Sequence, residues 1–498
     1  MSRAKAIMLQ GTMSNVGKSF LTAALCRIFM RNGYSVAPFK SQNMALNSFI
    51  TADGCEIGRA QALQAQAAGI EPSALMNPVL LKPTTNTGSQ VIVNGRVRGN
   101  MRAKDYFRRK KELIPDIMKA YDTLAARHDI IVIEGAGSPV ELNLKADDIV
   151  NMGLAKLVRS PVLLIGDIDR GGVFAQLIGT LNLLEPDERD MVKALIVNRF
   201  RGDISLFDDG IKLLTEKSGK PTAGVVPYTD CDLEDEDSLS DKLQNETTGG
   251  CTIDIAVIRL PKISNFTDAD PFRQYEDVSV RFVSRAERLG RPDLIIIPGT
   301  KSTIADMKFM RDSGMERAVR ECVSKGVPVF GICGGFQIMG KSISDPLGTE
   351  CDGGTDCVHT IEGMGLLPCE TVFAEEKRQT QVTGHFGEIG GFFSCLSGAA
   401  FEGYEIHMGR TEQSGTALTD IGGCFEGNAA GCYVHGIFDS AEVSKRLVEK
   451  LFEVKGKTRR LNALDRAAYR EKQLDILADA VRKSLDMELI YRILEEGV

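Results

Sequence analysis

Hydrophobic positions in this chain fall in short unbroken runs separated by amphipathic stretches. Segments 4–10, 34–40, 129–135, 161–167, 194–200 and 223–228 are compact apolar runs bounded by glycine or polar residues. Runs of that length read as strands buried on both faces, as in a parallel sheet. Between them, 20–31 and 56–69 carry helical spacing. The alternation over 4–228 predicts a doubly wound α/β domain. A second series starts at Thr252, with strands predicted at 253–260, 278–283, 294–298 and 327–332. Segment 431–438 adds a strand-like run ending in a glycine turn. The two series are separated by an acidic, polar, glycine-ended stretch that reads as a linker. From about residue 456 the chain is polar and helical, with Leu474, Leu477, Val481 and Leu485 at helical spacing. The expected layout is a first α/β domain over 1–229, a linker over 230–251, a second α/β domain over 252–455, and a helical tail over 456–498 packed on the second domain.

Composition narrows the class. The 498 residues suffice for two or three cores. A hydrophobic content of 43% and a charged content of 26% are those of a soluble globular protein. The formal net charge of −7 argues against a nucleic-acid binder, which needs surplus Lys and Arg. Twelve dispersed cysteines include no Cys-x-x-Cys pair, which argues against a zinc ribbon and fits a reducing compartment. The apolar run at 6–9 is far too short for a signal peptide, and no run reaches the length of a membrane span. A cytoplasmic protein without membrane or nucleic-acid partners is expected.

Candidate chemistry sits at two places. The first run leads into Gly11-Thr12-Met13-Ser14-Asn15-Val16-Gly17-Lys18-Ser19 and then a helix, the context of a phosphate loop. Backbone N–H groups around Gly11, Asn15 and Gly17 are expected to cradle ATP phosphates, Lys18 to reach the outer phosphates and Ser19 to hold Mg²⁺. Five residues separate the two glycines, one more than usual. The 129–135 run ends in Glu134, expected as a Mg²⁺ carboxylate. Asp53 and Glu56 are further metal candidates, against helix-start acids that merely suit the dipole. Lys40, Gln42 and Asn43 follow a strand end, where ligands bind in open parallel sheets, and are expected to touch substrate. Asp147 and Asp148 either touch substrate or metal, or cap a helix. Asn198 is expected on the base side of the nucleotide. The basic stretch 96–111 is expected to be a solvated helix face.

The second place is Gly331-Ile332-Cys333-Gly334-Gly335, a nucleophile elbow with cysteine in the serine position. Of the five histidines, His435 is the expected base and His407 the runner-up. Gly299, after a strand ending in Pro298, and Gly334 are expected to offer oxyanion N–H groups. A cysteine elbow implies acyl transfer through a thioester, and a phosphate loop implies activation by ATP. Together they suggest that ammonia cut from an amide is spent on an activated carboxylate.

The phosphate loop resembles that of dethiobiotin synthetase. Segments 38–48, Asn77-Pro78-Val79-Leu80-Leu81-Lys82-Pro83, Glu134-Gly135-Ala136-Gly137-Ser138-Pro139, Asp148-Ile149-Val150-Asn151-Met152-Gly153, Pro298-Gly299-Thr300-Lys301 and Tyr433-Val434-His435-Gly436 together resemble the cobyric acid synthase family, over nearly the whole chain. The resemblance implies a dethiobiotin-synthetase-like domain joined to a class I-like glutamine amidotransferase domain. It implies ATP, Mg²⁺ and glutamine as reactants, and a corrinoid substrate, adenosylcobyrinic acid a,c-diamide, amidated at its b, d, e and g carboxylates. Lys18 and Ser19 would bind ATP–Mg²⁺, Glu134 and Glu56 hold metal, Cys333 be the nucleophile and His435 its base. One departure stands out. Ile437 occupies the place of the glutamate that orients histidine in common class I amidotransferases, so the orienting group is unknown, with Asp439 close by in sequence. The rival readings are a ligase for the a and c carboxylates of cobyrinic acid, a regulatory ATPase on a dead amidotransferase scaffold, and a stand-alone cysteine hydrolase. Oligomeric state is not legible.

Overall fold

The structure, a computed structural model, describes residues 4–84, 88–229, 231–233, 250–350, 359–459 and 461–498. The acidic segment expected as a linker lies largely outside the described residues.

The first series of apolar runs forms β1 (Lys5–Gly11), β2 (Val36–Phe39), β3 (Ile130–Glu134), β4 (Val162–Asp167), β5 (Val192–Phe200) and β6 (Thr222–Pro227). They make one parallel sheet in the order β6-β5-β4-β1-β3-β2. β2, which carries Pro38, lies at the edge, where a missing N–H is tolerated. Register gathers the chemistry at one end: Leu9 pairs with Glu134, Gly11 with Ile165 and Asp167 with Asn198. The phosphate loop opens from that end into α1 (Lys18–Arg31).

Between β2 and β3 the chain builds structure that periodicity did not predict. A four-stranded sheet takes in Gln42–Met44, Val79–Pro83, Gly88–Val93 and Arg96–Arg102. A small hairpin pairs Ser48–Ile50 with Glu56–Gly58. The helix expected over 56–69 starts later, as α2 (Arg59–Ala67), so Glu56 lies on a strand. The basic stretch is strand Arg96–Arg102 followed by the short helix Ala103–Arg109, and its arginines are exposed.

The second domain runs β7 (Ile253–Ile258), β8 (Val278–Val283), β9 (Leu294–Ile297), β10 (Val329–Ile332), β11 (Cys369–His385), β12 (Ala400–Gln413), β13 (Ala417–Thr419), β14 (Gly422–Glu426) and β15 (Ala429–Cys432). Its main sheet is ordered β8-β7-β9-β10-β15-β14-β13. β11 and β12 form a long antiparallel hairpin that reaches across to the first domain. The tail corrects an expectation in part. Lys457, Arg459, Leu464 and Arg466 do contact the second domain, but helices Arg466–Ser484 and Met487–Glu496 bury their apolar faces on the first. Leu474, Leu477, Val481 and Ile490 share a core with Ile7, Leu25 and Phe29. Arg27 adds contacts to Glu471 and Asp475 at 2.7 and 2.9 Å.

Candidate active site

The elbow is built by steric necessity. Cys333 directly follows β10 with φ 50°, ψ −107°, a strained conformation for a residue with a side chain. The helix Gly334–Met339 follows at once. A Cβ on Gly335 would lie 1.9 Å from the Ile297 carbonyl, so only glycine lets the elbow close on β9. Gly299 faces the same place: a Cβ there would meet His435 Cε1 at 2.8 Å, and one on Gly334 would meet Thr300 N at 2.9 Å. Both glycines expected to serve the oxyanion therefore border the elbow.

His435 follows β15, whose Cys432 pairs with Ile332 beside the nucleophile. Its backbone is clamped to Tyr404 by two hydrogen bonds, and the Tyr404 ring stacks on the imidazole. Nδ1–H donates to Asp268 Oδ2 at 2.7 Å, while Asp268 Oδ1 accepts from Gly436 N at 2.8 Å. Burial works against a charged imidazole, but the Asp268 carboxylate and the Cys333 sulfur outweigh it and push His435 up to about 10. Nδ1 is committed to Asp268, which leaves Nε2 for the sulfur. Asp268 is thus the acid beside His435 that sequence reasoning did not find. Its one signal was placement: Asn265-Phe266-Thr267-Asp268 lies shortly after the C-terminal end of β7. His407, the runner-up, is engaged elsewhere. Its Nδ1–H donates to Gly409 O, and its ring stacks on Tyr433.

In the first domain, Glu134 collects one expected partner, Ser19, and two unexpected ones. Ser19 Oγ–H donates to Oε1 at 2.8 Å, Lys40 Nζ to Oε1 at 2.9 Å and Gln64 Nε2 to Oε2 at 2.6 Å. Burial opposes the Glu134 charge, but Lys40 and these hydrogen bonds hold its carboxyl below the usual range. Lys40, expected at the substrate, therefore sits on the phosphate-loop acid. Lys18 Nζ donates to Met13 O and Gly137 O. Gly17 adopts φ 93°, and a Cβ would meet Asn198 Nδ2 at 2.2 Å. Asn198 donates that amide to Val16 O, so it supports the loop from beneath instead of facing a base. Asn15 is also left-handed, with φ 61°.

Other expectations are redrawn. Glu56 does not join Ser19 and Glu134. It is fully buried and accepts from Lys82 at 2.8 Å, Lys377 at 2.6 Å and Gln379 at 2.8 Å. Burial opposes its charge, yet the two lysines hold its carboxyl far below the usual range. Both Glu56 oxygens are thus engaged by lysines, and Lys377 comes from the other domain. Asp148 gives its oxygens to the backbone N–H groups of Val150, Asn151 and Gly153, a turn-capping role. Gln42 accepts from the Tyr106 hydroxyl, and Asn43 donates to Gln61 at 2.9 Å.

The domains meet at the glutaminase base. Ser48 N–H donates to Asn265 Oδ1 at 2.9 Å, and Asn265 Nδ2 lies 3.4 Å from His435 Nε2. Tyr404 OH donates to Ser48 O at 3.2 Å. Among the described residues no helix is long and apolar enough to cross a membrane.

Fold and sites define a class: a phosphate-loop nucleotide-binding domain joined to a cysteine-type glutamine amidotransferase. Residues 7–239 match the CobQ/CobB/MinD/ParA nucleotide binding domain, and residues 254–443 match the CobB/CobQ-like glutamine amidotransferase domain. Cobyric acid synthase of Lachnoclostridium phytofermentans is 53% identical, over 99% of this chain and 100% of the relative. Those of Ruminiclostridium cellulolyticum and Dehalococcoides mccartyi strain CBDB1 are 51% and 48% identical, each over 99% of this chain and over 98% and 100% of the relative. The chain belongs to the cobyric acid synthase family, and so to the glutamine-dependent amidoligases.

Proposed function

We propose that this chain amidates the b, d, e and g carboxylates of adenosylcobyrinic acid a,c-diamide, using glutamine as nitrogen donor and ATP to activate each carboxylate as an acyl phosphate. The observation that carries the reading is the joining of the two sites: Glu56 of the phosphate-loop domain is held by Lys377 of the amidotransferase domain. The relatives' shared name supports the substrate.

At the elbow, the Cys333 thiolate attacks the glutamine amide carbon. His435, oriented by Asp268, gives a proton to the departing nitrogen. Gly299 and Gly334 offer N–H groups to the oxyanion. In the first domain the loop from Gly11 to Ser19 receives ATP. Ser19 and Glu134 would hold Mg²⁺: a hydroxyl and a buried, charged carboxylate are the hard oxygen donors it takes, with phosphates completing the set. When bound, the ion neutralises phosphate charge. The domain limits 1–229 and 252–455 fit this division of labour, and the tail belongs with the first domain.

The test combines purified protein, ATP–Mg²⁺, glutamine and adenosylcobyrinic acid a,c-diamide with mass spectrometry of the corrinoid. Each amidation lowers its mass by about one unit, so a stepwise ladder is expected. Glutamine hydrolysis with no mass change would overturn the substrate, and cobyrinic acid would be tried next.

A further inference from the structure

Segment 96–111 holds eight basic residues and one acid, Asp105. Five of the basic residues have partners. Arg96 donates to the carbonyls of Asp53 and Gly54, Arg102 pairs with Asp105, Arg109 with Glu112 and Lys111 with Asp147, while Lys110 lies 4.7 Å from the centre of the Phe107 ring. Arg98, Lys104 and Arg108 are exposed and have no ion pair or hydrogen bond among the described residues. Local structure groups them. Register steps from Val91–Gly99 to Ile92–Val97, so Arg98 is the extra residue of a bulge on an edge strand. In the helix Ala103–Arg109, Phe107 and Arg108 lie three and four residues after Lys104, on one face. Phe107 is 36% exposed.

This basic arm touches the phosphate site's surroundings at two points. Tyr106 donates to Gln42, two residues past Lys40, which binds Glu134. Lys111 pairs at 2.9 Å with Asp147, in the loop that leaves Glu134 and whose Gly137 O accepts from Lys18. The same loop leaves Leu142 and Leu144 55% and 39% exposed. Unpaired positive charge and exposed apolar surface thus lie together beside the ATP end of the sheet. That mixture suits a ligand that is at once apolar and anionic.

We propose that this arm and the loop bearing Leu142 and Leu144 form the seat of the acceptor substrate, a flat macrocycle with several carboxylates on its rim. Phe107, Leu142 and Leu144 take the apolar edge of the ring. Arg98, Lys104 and Arg108 hold the carboxylates that are not being activated. The inference rests on the amidoligase reading above and extends it to the residues of the seat. Each amidation turns an anion into a neutral amide, so the grip weakens from the first substrate to the last product, and fresh substrate displaces what is finished. Attraction between exposed charges is screened over about 10 Å at 0.1 M salt and about 3 Å at 1 M, so binding is salt-dependent.

The experiment is equilibrium dialysis of the full chain against adenosylcobyrinic acid a,c-diamide, read by the visible absorbance of the corrinoid. Wild-type binding is expected to weaken several-fold as salt rises. Lys104→Glu combined with Arg108→Glu is expected to weaken it several-fold at low salt and to flatten the salt dependence, whereas Lys104→Arg should bind as the wild type does. Arg98→Glu carries the comparison if the double variant does not fold. Phe107→Ala is expected to weaken binding by the same factor at every salt concentration. In turnover, the charge reversals should raise KM for the corrinoid far more than they change kcat, with KM for ATP unmoved. Charge reversals that bind the corrinoid as tightly as the wild type would overturn the seat, and self-association of those variants would show that the charges only shield an edge strand. A parallel rise in KM for ATP would also overturn it, in favour of a general field acting on any anion. If the wild type neither binds nor amidates this corrinoid, it is the substrate assignment that fails, and the same variants dialysed against cobyrinic acid then test the seat alone.

Discussion

An imidazole as buried as that of His435 ordinarily sheds its proton, and Asp268 reverses that preference. Replacing Asp268 with Asn should therefore lower glutamine-driven turnover by about 10²–10⁴-fold, the usual worth of positioned acid–base catalysis. Amidation from added ammonia should survive, as it should in Cys333→Ala. Loss of both activities in Asp268→Asn would show a structural role instead. Stability follows the same charge. His435 is raised from 6.5 to about 10, so its contribution is complete below pH 6.5 and fades as pH climbs towards 10. Urea midpoints measured between those limits should fall more steeply in the wild type than in Asp268→Asn. At the other site, Lys18→Ala should abolish amidation from either nitrogen source, because the outer phosphates of ATP lose their cation. Product formed from ammonia by that variant would remove the loop from the mechanism.

Among the elements, the hairpin Ser48–Ile50 with Glu56–Gly58 joins the two chemistries. One strand holds Asn265 and Tyr404 beside His435, and the other ends at α2, whose Gln64 binds Glu134. Glu56→Gln would leave Lys82 and Lys377 buried without their counter-charge, at about 3–5 kcal/mol. Denaturant unfolding is the measurement, and a change within error would mean that the lysines find other partners. This hairpin also shows where the sequence stops being legible. Cys333, Lys18 and Ser19 were legible as motifs because a strand, a glycine turn and a helix lie within a few residues of one another, and Glu134 because it ends an unbroken apolar run. The polar run from Gln42 to Ser48 looked like a loop, since the residues that pair with it, such as Val79 and Asn265, are remote in the chain. Glu56 read as a metal carboxylate or a helix-start acid for the same reason: Lys377, which binds it, lies 321 residues away. β11 and β12 escaped because their exposed polar residues blur the alternation of a strand.

Across the whole molecule, both α/β series were legible as continuous apolar runs, whereas the docking of the tail was not. Spacing at Leu474, Leu477, Val481 and Leu485 reveals that a face is buried but not what buries it. The structure gives the answer as α1 and β1. Ending the chain after Gly456 should expose that surface. Limited proteolysis should then cut first in the phosphate-loop domain while the amidotransferase fragment persists. Equal resistance in both domains would mean that the tail is dispensable.

The same docking reverses the usual order of maturation. The domain that comes early in the sequence waits for helices that come much later before its outer apolar face is sealed. A chain interrupted before these helices therefore leaves that apolar face of the first domain bare, although the residues that would cover it lie far off in sequence, 448 positions away where Asp475 meets Arg27.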